Sequence, residues 1–209
     1  MSNITTETFH DGDLSKILET DERLLWSGAP GYGRRFLEVV GHERMILIAA
    51  FVAIPLMWST LAFIRPDAQL SRTDAIWVYS VVTLGLVTYW LSLAWQRQYV
   101  LSALAYLVTD KRAIICRRGL NWRFGVRLYV VSCKHSATYP YSLIDTRPFP
   151  SLQIGTLLSV DQVQPLGWGL SHPGHSILRH RTTSNVTFDY LPNAQDLLEL
   201  IQGIAGKQV

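Results

Sequence analysis

The sequence predicts a membrane-anchored α+β chain: a two-helix transmembrane hairpin, an antiparallel β region and a C-terminal helix. Three observations predict it. Two long runs carry no charged residue. A later stretch of β-branched, aromatic and alternating residues is punctuated by turn signals. The last segment repeats its apolar residues at helical spacing behind a proline. Composition fits the same picture, with 48% of the 209 residues hydrophobic and 17% charged, against roughly 25% charge in an average soluble domain. The deficit belongs to the two charge-free runs. So high an apolar share excludes a disordered chain, and two cysteines are too few for a disulfide-stapled module. A net charge of +3 gives no reason to expect nucleic acid as a partner.

Residues 1–44 read as an acidic arm with five basic and eight acidic residues. Asp13 to Glu19 is a short amphipathic turn with Leu14, Ile17 and Leu18 on one side and Asp13 as N-cap. Arg23 to Ser27 reads as a strand, and Gly28-Ala29-Pro30-Gly31 breaks it. The first transmembrane helix is residues 45–64, 20 residues without charge, enough at about 1.5 Å per residue for a hydrocarbon core of roughly 30 Å. Pro55 at its middle would break a soluble helix but is tolerated in a span. Position argues against a signal peptide. Residues 65–74 are a ten-residue extracytoplasmic link, short enough to force the hairpin. The second helix is residues 75–95, 21 residues with Trp77 and Tyr79 near one end and Tyr89, Trp90 and Trp95 near the other, as interfacial belts are. The link carries two basic residues; the opposite side carries six: Arg34, Arg35, Arg44, Arg97, Lys111 and Arg112. That bias predicts both termini in the cytoplasm.

Residues 96–209 form the main soluble part, net +6. Ala105 to Thr109 is a strand, Asp110-Lys111 a tight turn, Arg112 to Arg117 a second strand and Arg118 to Asn121 another turn. Arg123 to Val131 alternates, which sets Phe124, Val126, Leu128 and Val130 on one face and Arg123 and Arg127 on the other. Between Ser132 and Pro173 five prolines leave only short strands. Ser176 to His180 and Asn185 to Tyr190 read as a closing hairpin. Ala194 to Ala205 is a helix with Leu197, Leu198, Leu200, Ile201 and Ile204 as its apolar face, ended by Gly206.

Three segments, DERLLWSGAP (21–30), AYLVTDKRAIIC (105–116) and VTFDYLPNAQDLLELI (186–201), occur in this order around the hairpin. In that arrangement the chain resembles bacterial membrane proteins with a pleckstrin-homology-like domain. The resemblance implies a bent antiparallel sheet capped by the C-terminal helix, an inner-membrane location, and a strand from residues 21–30 that joins the sheet made after the hairpin. The hairpin would then be an insertion. It also implies a non-enzymatic role, as accessory or assembly factor for membrane complexes. The segment from Cys133 to His175 is longer and richer in proline than that pattern.

Two sets of candidate contact residues follow. Lys111, Arg112, Arg117, Arg118, Arg123 and Arg127 lie near the inner end of the second span and are candidates for an anionic headgroup or anionic partner. The competing reading is a solvated strand face, and alternation already separates Arg112 from Arg117. Tyr139, Tyr141, Phe149 and Trp168 in the Pro-rich segment are candidates for protein contact, because aromatics concentrate in interface hot spots. The competing reading is loop packing over the sheet. His172, His175 and His180 with Cys133 and His135 lack the close fixed spacing of a zinc site, so no metal or cofactor is expected. Cys116 and Cys133 read as reduced thiols. No nucleophile, zinc or phosphate-loop motif is present, and an enzyme is not expected. The expected function is a membrane-anchored interaction module, scaffold or assembly factor; the alternative is anionic-lipid sensing at the inner leaflet. Expected partners are the bilayer and a membrane or membrane-proximal protein, and self-association is compatible with the hairpin.

Overall fold

A computed structural model describes residues 17–63, 71–120, 126–157 and 184–208. Its organising strand is β2 (Leu104–Thr109), which is buried at every position. A strand buried throughout must be covered on both faces. Leu104, Tyr106 and Val108 enter the main core, while Ala105 and Leu107 turn the other way to meet Ile114, Cys116 and Ile17. β2 lies between β1 (Leu24–Gly28) and β3 (Arg112–Leu120), and β3 pairs in turn with β4 (Val126–Lys134). All these pairings are antiparallel. β1 bulges between Leu24 and Trp26 and then sets Trp26 opposite Val108 and Gly28 opposite Tyr106. A three-stranded antiparallel sheet follows, β5 (Ser142–Ile144), β6 (Ser151–Leu157) and β7 (Ser184–Phe188), in sequence order. The resemblance implied one bent sheet; two sheets are present.

Between β1 and β2 in sequence stand α1 (Gly41–Ser59), continued by a 3-10 turn (Thr60–Phe63), and α2 (Arg72–Ser102). Both are long and apolar enough to cross a membrane, with an 18-residue stretch of mean hydropathy 2.2 within Glu43–Phe63 and one of 1.6 within Arg72–Ser102. Their apolar side chains are bare: Phe51 is 79% exposed, Leu84 68% and Trp95 71%. Contiguous bare apolar surface of this kind marks contact with lipid or another apolar surface. Ser71 caps α2, its Oγ accepting from the Asp74 N–H at 3.1 Å. At 31 residues α2 outlasts a bilayer core, and its last turns sink Arg97, Val100 and Leu101 into the β domain.

The two sheets meet through aromatic rings. Phe188 of β7 stacks on Tyr106 of β2 at 4.7 Å and lies 6.2 Å from Trp26 of β1. A corner at Tyr190, in the left-handed region at φ 54°, turns the chain from β7 towards α3 (Ala194–Ala205). α3 packs on β5 and β6 and buries Ala194, Leu197, Ile201 and Ala205.

Two local expectations are corrected. Arg118 to Leu120, expected in a turn with Asn121, are strand instead, because β3 runs on to Leu120 and pairs Arg118 with Leu128 and Gly119 with Arg127; Asn121 lies outside the described residues. Val130 is 41% exposed, and Val131, 6% exposed, faces the core instead. Register explains it: Val131 sits opposite Ile115, on the core side of β3, whereas Val130 sits opposite Cys116. Two adjacent valines make the face of β4 ambiguous in sequence. The expected Asp13 cap, the strand at 176–180, Phe124, Arg123 and Trp168 lie outside the described residues.

Candidate functional site

The most heavily bonded side chain among the described residues is Arg97, on the last turns of α2. It is fully buried. Its Nε donates to Glu43 Oε2 at 2.7 Å, an ion pair with both side chains 0% exposed. Its Nη1 donates to the carbonyls of Gly33 (3.1 Å), Arg35 (2.7 Å) and Glu38, and its Nη2 to that of Phe36. A planar guanidinium with five donors is suited to such a fan of acceptors. The loop joining β1 to α1 is therefore wound around the C-terminal end of α2. Its shape requires glycine at position 33, where φ is 85° and a Cβ would come within 2.5 Å of Leu101 Cδ1. The other end of the loop is tied to the second sheet: the Gly31 N–H donates to the Tyr190 carbonyl at 2.8 Å, and the Tyr32 and Tyr190 rings meet edge on. Helix pair, first sheet and second sheet thus share one junction.

Sequence reasoning counted Arg97 only as a topological charge and passed over Glu43. The signal was present. Arg97 is the first charge after the second uncharged run and Glu43 lies just before the first. A hairpin brings such flanking charges to the same level.

Among the basic candidates, the described side chains of Arg112 and Arg117 do not converge. Arg112 is held by the arm: Nη2 donates to Glu22 Oε2 at 2.9 Å and to the Ile17 carbonyl at 3.1 Å, and Nε donates to Glu22 Oε1 at 2.9 Å. Glu19 lies 3.4 Å from the same guanidinium. Arg117 faces the other way, fully buried, with its guanidinium carbon 5.5 Å from the centre of the Tyr99 ring. Lys111 is exposed in the turn between β2 and β3. Arg118 and Arg127 belong to β3 and β4, and Arg123 lies outside the described residues.

Glu22 has a measurable consequence. Hydrogen bonds from Arg112 and Thr109 lower its carboxyl from 4.5 to about 2. A carboxyl lowered by folding stabilises the folded state fully above its unfolded value and loses that contribution as pH falls through the folded one. The arm is therefore expected to loosen between pH 4.5 and about 2. Hydrogen exchange at the Arg23 N–H, which donates to Asp110 Oδ1 at 2.9 Å, reads this opening. Glu22→Gln is expected to speed exchange at neutral pH and to flatten its acid dependence.

The described aromatic candidates, Tyr139, Tyr141 and Phe149, are half-buried and bonded locally. The Tyr139 hydroxyl accepts from Gln153 Nε2 at 2.8 Å, and the Tyr141 hydroxyl accepts from the Ser136 N–H at 2.9 Å. Their rings meet edge on at 5.1 Å. Phe149 packs against the main core. These rings hold the 135–150 segment on the second sheet and leave its rim outside: Ala137, Thr138, Pro140, Asp145, Arg147 and Pro148 are exposed.

His135 is buried, and burial lowers its pKa, so the neutral ring donates from Nε2 to the Thr109 carbonyl at 3.0 Å. Burial pushes the Cys116 thiol up to about 12, which leaves it protonated and unreactive at neutral pH. Cys133 lies against Gly155, whose added Cβ would meet its sulfur at 2.5 Å. Among the described residues no three His, Cys, Asp or Glu side chains group as metal ligands. In comparisons with family models, curated proteins and solved structures, none matches the chain.

Proposed function

We propose that the chain is a membrane-anchored, pleckstrin-homology-like interaction module that serves as a scaffold or assembly factor for a membrane protein complex. The observation that carries this reading is the Arg97 junction. It ties the apolar helices rigidly to both sheets, so the β domain is held at one height and tilt over the bilayer. A docking platform needs that fixity, whereas a freely tethered domain does not. The pleckstrin-homology-like reading is supported by strand order: four strands, then three, then a helix against the second sheet. The transmembrane hairpin is supported by side-chain pairs that run oppositely along the two helices. Glu43 meets Arg97; Trp58 Nε1 donates to Thr83 Oγ1 at 3.0 Å; Thr60 Oγ1 and the Tyr79 hydroxyl lie 2.8 Å apart. The basic bias at the domain end favours the cytoplasm for that end.

The exposed rim at 137–148 is the contact region in this reading, with the half-buried rings beneath it as its support. Lipid sensing by the strand face ranks second, because Arg112 and Arg117 are already engaged on opposite faces. A photo-cross-linking residue placed at Thr138 is expected to give one discrete adduct with another membrane protein in native membranes. The same residue at Lys207, exposed beyond α3, is expected to give none. Equal, diffuse labelling from both positions would overturn the scaffold reading.

A further inference from the structure

The loop wound around Arg97 has an unusual composition for its place. Residues 34–38 read Arg-Arg-Phe-Leu-Glu. Phe36 packs edge on against Trp90 of α2 at 5.7 Å. Trp90 belongs to the charge-free run and precedes Arg97 by seven residues, about 10 Å along a helix. The Phe36 ring therefore reaches the depth of the apolar helices. Leu37, next to it, touches little: it is 79% exposed, as bare as Phe51 on α1. Arg35 has its side chain 88% exposed, its Nε 3.9 Å from Glu38 Oε1 at the edge of ion-pair distance, and Arg44 is exposed at the start of α1.

Irregular backbone at membrane depth is tolerated only where its polar groups are satisfied by protein. Most of this loop's carbonyls meet that condition. The carbonyls of Gly33, Arg35, Phe36 and Glu38 are taken by Arg97, the Arg35 N–H donates to Glu38 Oε2 at 3.1 Å, and the Glu38 and Val39 N–H groups donate to the Arg35 and Leu37 carbonyls, each at 3.1 Å. A loop with most of its carbonyls bonded within the protein, with apolar tips and flanking arginines, matches the boundary between headgroups and acyl chains.

We infer that residues 34–38 are a second, non-helical membrane contact, in which Phe36 and Leu37 lie among the acyl chains and Arg35 and Arg44 bind anionic phospholipid headgroups. The inference rests on the hairpin reading. The loop fixes how close the β domain sits to the leaflet, and Arg97 links that contact to both sheets.

The test uses the full chain in vesicles of phosphatidylcholine with phosphatidylglycerol, with Cys116→Ser and Cys133→Ser as background. A nitroxide is attached at Leu37→Cys, Phe51→Cys or Lys207→Cys, and its access to oxygen and to a water-soluble nickel chelate is compared. Leu37 is expected to favour oxygen, as Phe51 does, while Lys207 favours nickel. Nickel access at Leu37 with oxygen access at Phe51 would overturn the loop contact and leave the hairpin standing. Nickel access at Phe51 would overturn the hairpin, and the loop contact with it. Shielding of Leu37 from both reagents would mean that a second copy of the chain covers it, and would also overturn the inference. For the headgroups, spin-labelled phosphatidylglycerol is expected to be preferred over phosphatidylcholine around the protein. Arg35→Gln and Arg44→Gln are each expected to reduce that preference by up to about fivefold. A preference unchanged in both variants would overturn the arginine assignment.

Discussion

Arg97→Ala is expected to be among the most damaging single substitutions in the chain, costing about 3–5 kcal/mol. Three losses coincide. Glu43 stays buried with its charge uncompensated, since Oε1 has no partner even in the intact protein among the described residues. Four carbonyls of the 33–38 loop lose their donor. The volume of a fully buried long side chain is vacated beneath Leu101 and Gly33. Arg97→Lys is expected to rescue little, because an ammonium has three donors and no planar fork for five acceptors. Glu43→Gln should be milder: it removes one charge-assisted bond, about 1.5–3 kcal/mol, and leaves the loop still wound on Arg97. Denaturation of the purified full chain in detergent measures the order Arg97→Ala above Glu43→Gln. If both cost the same, the ion pair alone matters and the carbonyl fan does not. The Arg97→Ala chain should also lose the discrete Thr138 cross-link before it unfolds globally, because the domain is no longer held at one height.

The ease of reading this fold from sequence varied with how local each signal was. The uncharged runs translate directly into α1 and α2, since a helix of about 20 apolar residues has few alternatives. Asp110-Lys111 between two β-rich runs gives the β2–β3 hairpin, and the Leu197, Ile201 spacing behind Pro192 gives α3. Where two readings of a local pattern were equally good, sequence failed. Val130-Val131 offers a core residue to either face of β4, and only the register with Ile115 decides. Arg118-Gly119 carries turn chemistry but lies in a strand because its partners Leu128 and Arg127 continue the ladder. The candidate site was the least legible part. A patch of cations along β3 looks continuous in sequence, yet the alternation sends Arg112 to the arm and Arg117 to the core side. Arg97 and Glu43 are 54 residues apart. Their pairing follows only once the two helices are folded against one another.

Phe188→Ala is expected to cost about 3–5 kcal/mol, the range for deleting a large aromatic from a packed core. Phe188 is fully buried, and its ring carries β7 against the first sheet, between Tyr106 of β2 and Trp26 of β1. The neighbours cannot close the gap by sliding. Tyr106 is held by its hydroxyl, which accepts from the Asp189 N–H at 3.0 Å. Trp26 is held over Gly28, where a Cβ would come within 2.5 Å of its ring. Because Trp26 shares the contact, Trp26→Ala and Phe188→Ala should not be additive; a coupling of about 0.5–3 kcal/mol is expected from a double-mutant cycle in detergent. Leu197→Ala, on α3 and outside that ring cluster, should couple more weakly with Trp26→Ala. The contrast separates two architectures. Sheets that face each other through these rings give strong coupling at positions 26 and 188. Sheets held together mainly by α3 would leave positions 26 and 188 additive within about 0.5 kcal/mol. They would instead place the largest loss at Leu197 and Ile201.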